Sequence, residues 1–135
     1  MKKIFIVLAA AFVLSGCDGK EKDELVEQLR LKFAKDSDLA DYKISPEDMS
    51  KCVADKILKE ISGFPGSPNR KRYIRAYTKL VRVDPTQDFR PALEETAEVF
   101  GSPAKSYEAA GIITTSSFDC VGDMINEQPL QEEQK

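Results

Sequence analysis

Residues 67–82, SPNRKRYIRAYTKLVR, are the stretch that decides the fold class. Ser67 can accept a hydrogen bond from a free N–H group of a helical first turn, and Pro68 suits the next position because its missing N–H needs no partner there. Beyond this pair, apolar residues recur every three or four positions, which predicts an amphipathic helix over about 68–83. The apolar positions are Tyr73, Ile74, Tyr77, Leu80 and Val81.

The same spacing of apolar residues predicts five further helices. They cover about 22–35, 46–62, 89–100 and 103–110, and the chain from 116 onward. Ser-Pro pairs at 45–46 and 102–103 begin two of them, and Asp88 is expected to cap a third. Gly111 and the β-branched run 112–115 predict a helix end followed by an extended connector. The chain is therefore predicted to be all-α, a small single-domain bundle of four to six short helices.

Basic residues concentrate in the helix predicted at 68–83. Residues 70–82 contain six of them and no acid, and most lie on the face opposite the apolar stripe. They are Arg70, Lys71, Arg72, Arg75, Lys79 and Arg82. One interpretation is a docking face for an acidic partner protein or for anionic lipid headgroups. The alternative is a solvated face that pairs with acidic residues of the same domain.

The first 17 residues have the parts of an export signal. Met1-Lys2-Lys3 precedes an apolar run of 11 residues, Ile4 to Leu14. A spanning helix needs roughly 20 apolar residues, so this run is too short to cross a bilayer and is typical of a signal peptide. The next residues, Leu14-Ser15-Gly16-Cys17, resemble the lipobox of bacterial lipoproteins. The alternative is an ordinary signal peptide with a chance cysteine.

The lipobox resemblance implies cleavage before Cys17 and attachment of diacylglycerol and a fatty acid such as palmitate to that residue. It places the chain on the periplasmic side of the cell envelope. Asp18 resembles the retention signal of enterobacterial lipoproteins, which slightly favours the inner over the outer membrane. The expected organisation is a signal peptide at 1–16, a lipidated N-terminus with a short tether at 17–21, a helical domain at 22–126 and a polar tail at 127–135.

Cys52 and Cys120 remain once the lipid has claimed Cys17. In the oxidising compartment that the resemblance implies, we expect them to form a disulfide between two helices. Two free thiols or an intermolecular bridge are the alternatives. The mature chain would carry 18 Lys and Arg, which is 20 without Lys2 and Lys3, against 23 Asp and Glu. This acidic balance gives no reason to expect nucleic-acid binding.

Histidine is absent, which excludes His-based catalytic triads, His metal ligands and His acid–base catalysis. No other catalytic arrangement is recognisable, so we expect a protein that is not an enzyme and needs no cofactor or metal. The one candidate metal site is an EF-hand-like loop, with Asp36, Asp38 and Glu47 at its first, third and twelfth positions. Ala40 and Asp41 stand where that loop needs a ligand and a glycine, so calcium binding is a minor alternative.

The expected function is binding of another protein near the membrane, as an assembly or protective factor. Size and architecture are similar to those of pilotins, which hold a helix of a secretin subunit in a groove, and of lipoprotein immunity or exclusion factors. Fold-level similarity of this kind cannot fix a function. Binding of anionic lipid headgroups through residues 70–82 is the main alternative.

Overall fold

Serine side chains begin three helices of this chain, as the Ser-Pro pairs predict. Ser45 accepts a hydrogen bond from the N–H of Asp48 at 3.1 Å, and Ser67 accepts one from Arg70 at 3.3 Å. Ser102 accepts from the N–H of Lys105 at 3.2 Å. In each case the hydroxyl supplies an acceptor for an N–H group that the helix itself leaves without a partner.

The computed structural model describes residues 18–127, and within that range it contains helices and no strand. The helices are α1 Gly19–Phe33, α2 Ser37–Asp41, α3 Pro46–Glu60, α4 Pro68–Arg82, α5 Arg90–Phe100 and α6 Pro103–Glu127. The predicted all-α bundle is confirmed. The signal peptide, Cys17 and residues 128–135 lie outside the described range. None of the helices in that range is both long and apolar enough to cross a bilayer.

The centre of the bundle is formed by α1, α3 and α4. α1 and α3 are antiparallel, since Lys22 pairs with Asp55 at one end of α1 and Arg30 pairs with Glu47 at the other. Their shared core side chains are almost fully buried. They include Leu25, Leu29, Met49, Val53, Ile57, Ile74 and Leu80. Burying such side chains supplies most of the favourable free energy of folding.

A second layer is formed by α5 and α6, which contact each other and α4. Phe100 of α5 packs edge-on against the rings of Tyr73 and Tyr77, with centroids 5.6 and 5.2 Å away. The expected disulfide is confirmed: Cys52 of α3 is bonded to Cys120 of α6, with 6.0 Å between their Cα atoms.

The prediction of two helices and an extended connector between 103 and 127 is wrong, because α6 is one continuous helix of 25 residues. The β-branched Ile113 and Ser116, where the last helix was predicted to begin, are both buried against the rest of the bundle. The hydroxyls of Thr114 and Ser117 donate to carbonyls four residues earlier, so they are satisfied inside the helix. Packing here outweighs the weak local preference for an extended chain.

The boundaries differ at four other places. α1 begins at Gly19, so residues 19–21 of the expected tether are helical. Residues 37–41 form the short helix α2, capped by the carboxylate of Asp36. Phe89 is the N-cap residue of α5, although the Asp88 carboxylate still accepts from the N–H of Arg90 at 3.1 Å. Glu127 ends α6 and does not belong to the tail.

Candidate functional site

Five of the six basic residues between 70 and 82 form ion pairs within the domain. Arg70 pairs with Asp18 at 2.8 Å, Arg75 with Glu21 at 2.7 Å and Lys71 with Glu21 at 3.9 Å. Lys79 pairs with Glu95, and Arg82 with Glu24. Among residues 18–127, Arg72 has no such ion pair. This is the arrangement expected for a face that pairs with its own domain, and a docking role for these cations stays a prediction.

These ion pairs also fix the direction of α1 relative to α4. Asp18, Glu21 and Glu24 follow one another along α1 and pair with successive cations along α4. The two helices therefore run parallel, with their N-termini at the same end of the bundle. We call this the anchored end, because Asp18 directly follows Cys17, the residue that the sequence predicts to carry the lipid. It also contains the end of α3 and the 62–66 loop.

Asp18 and Arg70 form the most buried of the described ion pairs, with each side chain about 11% exposed. Asp18 accepts from the N–H of Gly66 at 2.7 Å and from Nε of Arg70 at 2.8 Å. The other guanidinium nitrogens of Arg70 donate to the carbonyls of Ile61 at 2.5 Å and Leu58 at 3.0 Å. One side chain thus ties together the start of α1, the end of α3 and the start of α4.

Burial by itself would raise the pKa of Asp18. The hydrogen bond from Arg70, the backbone hydrogen bond from Gly66 and the positive charges of Arg70 and Lys71 outweigh burial and hold that pKa below its usual value of 3.8. The carboxylate is therefore charged and fully engaged at neutral pH. Sequence reasoning assigned Arg70 to an outer basic face, although at 100° per residue it lies on the same side of α4 as Ile74 and Tyr77.

An apolar groove of about 950 Å³ opens between α6 and the far end of the bundle. One wall is formed by the C-terminal ends of α1 and α4, by α2 and by the start of α3 and α5. Its apolar side chains are Phe33, Leu39, Met49, Leu80, Val81 and Phe89. The volume lies within the range of pockets that hold ligands or protein segments.

The other wall is a second apolar stripe along α6. The buried stripe of this helix consists of Ser106, Ala109, Ile113, Ser116 and Cys120. The second stripe begins one residue later and lines the groove, and we call it the groove face of α6. It consists of Tyr107, Gly111, Thr114, Phe118, Val121 and Ile125. Tyr107 is 69% exposed and Phe118 is 74% exposed, so large apolar side chains face solvent along this wall.

The middle of the groove face carries small residues and has free space around it. A Cβ atom added at Gly111 would meet no atom within 4 Å, and the neighbouring groove residue Ala110 is also small. A bound helix could therefore approach the backbone of α6 closely at this point. Tyr107 and Phe118 lie on either side of it, and aromatic residues are enriched at protein interfaces.

Sequence reasoning missed the groove face because it divided α6 into two helices. The signal is present in the spacing: positions 107, 111, 114, 118, 121 and 125 alternate steps of four and three. It can be read only when 103–127 is treated as one helix.

Two of the three candidate calcium ligands, Asp36 and Glu47, have other partners. Asp36 accepts from the N–H of Asp38 at 3.0 Å as the cap of α2, and Glu47 lies 3.9 Å from Arg30. Across residues 18–127, no three acidic, Cys or His side chains are grouped closely enough to hold a metal ion. The chain matches no protein-family model, no curated protein and no solved structure.

Proposed function

We propose that this chain is an envelope lipoprotein that binds an apolar helical segment of another protein in its groove and performs no catalysis. The observation that carries the proposal is the groove face of α6. Tyr107 and Phe118 are exposed on a helix whose other apolar stripe already packs in the core. Exposed apolar surface in a concave site, with few polar groups, is typical of a binding site for a partner.

The proposed anchor is the lipid on Cys17, supported by the signal peptide and the lipobox at 14–17. α1 has 15 residues, so its two ends are about 22 Å apart. The lipid would be attached at one end of α1, whereas Phe33 at the other end lines the groove. The wall of the groove that the far end of the bundle forms would thus be held away from the bilayer, where segments of periplasmic proteins can reach it.

The proposed location is the periplasmic side of the inner membrane, because Asp18 follows the lipobox cysteine. Its carboxylate is bound by Gly66 and Arg70. A sorting factor that reads Asp18 would have to compete with these bonds. Fractionation of cell envelopes tests the location, and metabolic labelling with an alkyne analogue of palmitate tests the anchor. Cys17→Ser is expected to abolish both the label and the membrane association.

The length and charge of the groove predict the length and charge of the partner segment. The groove face extends over 19 residues from Tyr107 to Ile125, whose Cα atoms are about 27 Å apart along the helix. An amphipathic helix of about five turns matches this length. At the α2 end of the groove, Asp36 and Asp38 outnumber the one cation, Lys32, and favour a basic residue at one end of that helix.

The experiment that tests the function is photo-crosslinking in living cells. A photoreactive amino acid at position 118 is expected to trap one major partner. Gly111→Trp places a large side chain in the open middle of the groove and is expected to lower the yield of this adduct about tenfold.

Gly122→Trp is the matched control. Gly122 belongs to the same helix, a Cβ atom there also meets nothing within 4 Å, and it does not line the groove. The proposal fails if Gly111→Trp leaves the adduct intact, or if both tryptophan variants reduce it equally.

A further inference from the structure

We infer that the 62–66 loop is a second membrane contact, in which Phe64 enters the interface of the bilayer that holds the lipid on Cys17. The exposed cations Lys20, Lys59 and Arg72 then face anionic headgroups. This inference rests on the proposed lipid anchor. It assigns the anchored end a fixed orientation on the membrane.

Phe64 is 73% exposed, although it lies in a short loop that is hydrogen-bonded to the rest of the domain. The loop has positive φ angles at Gly63 (99°) and Gly66 (87°), which glycine adopts without strain. The carbonyl of Phe64 accepts from the N–H of Ser67 at 3.1 Å. The turn therefore holds its one aromatic side chain outward, and the bundle does not cover it.

The loop is fixed close to the proposed lipid attachment. The N–H of Gly66 donates to the Asp18 carboxylate at 2.7 Å, and Asp18 is the residue after Cys17. Consecutive Cα atoms are about 3.8 Å apart, so the lipidated residue cannot be far from this loop. Because α1 begins at Gly19, no long tether separates the anchor from the folded domain. Acyl chains on Cys17 would therefore bring Phe64 to the bilayer surface.

The charges at the anchored end are also suited to a membrane. Lys20 is in the first turn of α1, Lys59 in the last turn of α3 and Arg72 in the second turn of α4. All three are exposed, and none forms an ion pair with residues 18–127. Glu60 and Asp23 are exposed acids at this end, and Asp23 lies one helical turn from Lys20, so the cations outnumber the free acids by one. Farther along α4, Arg75, Lys79 and Arg82 are neutralised by acids of the domain.

The ion pairs therefore distinguish the cations that remain available to a bilayer from those that acids of the domain neutralise. Electrostatic attraction falls off within a Debye length, about 8 Å at physiological salt, so only charges near the surface contribute. Aromatic side chains favour the interface between headgroups and acyl chains. The Phe64 loop and the free cations occupy the same end of the bundle as the lipid and can act together with it.

A tryptophan reporter tests the inference, because the chain has no native tryptophan. Phe64→Trp is made in the lipidated full-length mature protein, which is reconstituted into vesicles containing anionic lipid. We expect its emission to shift to shorter wavelength and to be quenched about twofold by lipids brominated on the acyl chains. Phe118→Trp is the control, since Phe118 is equally exposed, at 74%, but lies in the groove. Its emission is expected to be unchanged by the brominated lipids.

Flotation of the vesicles tests the lipid anchor separately from the membrane contact of Phe64. If the protein floats but Trp at position 64 stays as accessible to aqueous iodide as in lipid-free solution, the inference is overturned and the anchor stands. If the protein does not float, the anchor is overturned, and the inference with it. A blue shift that is already present without vesicles also overturns the inference, because another protein surface would then cover the loop.

A charge-reversal set measures the contribution of the cations. Changing Lys20, Lys59 and Arg72 together to Glu is expected to reduce quenching at position 64 in anionic vesicles but not in neutral ones. The matched set is Lys35, Lys43 and Lys51, which are exposed residues near the opposite end of α1 and α3. Reversing these is expected to leave quenching unchanged. Equal effects of the two sets would exclude a specific role for the cations of the anchored end.

Discussion

The anchored end and the groove differ in which side chains they bury: charged side chains are buried at the anchored end, and large apolar side chains are exposed in the groove. At the anchored end, Asp18 and Arg70 are buried and satisfied by four hydrogen bonds that join three helices. In the groove, Tyr107 and Phe118 are large and apolar, yet about 70% of each is exposed. The charges that dominate the sequence thus mainly hold the fold together. The surface that we propose for a partner is apolar, and the sequence alone does not indicate it clearly.

The largest effect is expected from removing the disulfide that fastens α6, the far wall of the groove, to α3. The bridge closes a separation of 68 residues, so its loss in the double variant Cys52→Ala, Cys120→Ala should lower the free energy of unfolding by about 4 kcal/mol. Urea denaturation measures the loss. Hydrogen exchange should show that α6 loses protection while α1 and α4 largely keep theirs. Uniform loss of protection would mean that the two regions are not separable.

The next effect concerns the anchored end. Arg70→Met leaves the Asp18 carboxylate and two backbone carbonyls without their donor, and we expect a loss of about 3 kcal/mol in the free energy of unfolding. Arg72→Met is the control, because Arg72 is exposed, and the change should stay within about 0.5 kcal/mol. Thermal unfolding of both variants decides the matter. Equal losses would mean that Arg70, like Arg72, belongs to the outer basic face that the sequence suggested.

Most of the fold could be predicted from local sequence. The Ser-Pro pairs place the starts of α3, α4 and α6 correctly, because the cap and the proline act within one turn. The disulfide between Cys52 and Cys120 could also be expected, because the predicted export signal implies an oxidising compartment.

The candidate site could not be predicted in the same way. Reading the groove face requires α6 to be one helix, and Gly111 with the β-branched run after it indicates a break. What keeps the helix continuous is the burial of Ile113 and Ser116 against α3, α4 and α5, which is a long-range effect. The partners of the basic residues are equally distant in sequence: Arg70 and Asp18 are 52 residues apart.

A smaller effect is expected from filling the groove with a single methyl group. Gly111→Ala and Gly122→Ala should each raise the free energy of unfolding by about 0.5–1 kcal/mol, because glycine inside a helix is unfavourable and both sites have open space around the new Cβ atom. Gly111→Ala alone should also weaken binding of the partner helix. Urea denaturation and the yield of the adduct at position 118 measure the two effects. A gain in stability with no change in adduct at either position would mean that a partner does not approach α6 at Gly111.

The smallest effect is a pH dependence that belongs to the anchored end. The folded pKa of Asp18 lies below its usual value of 3.8, since Arg70 and Gly66 favour the charged carboxylate despite burial. The unfolded chain therefore binds the proton more readily than the folded protein does. The charged Asp18 carboxylate stabilises the fold fully at pH values above its unfolded pKa, and this stabilisation is lost as the pH falls through its folded pKa.

Free energies of unfolding measured from pH 7 down to acid should fall for the wild type, whereas those of Asp18→Asn should start lower and fall less. The gap between the two proteins should thus narrow below about pH 4, because the protonated carboxyl of Asp18 and the amide of the variant are equally neutral toward Arg70. A gap that stays constant through this window would mean that Asp18 acts through its shape and backbone hydrogen bonding, and that charge does not hold the anchored end together.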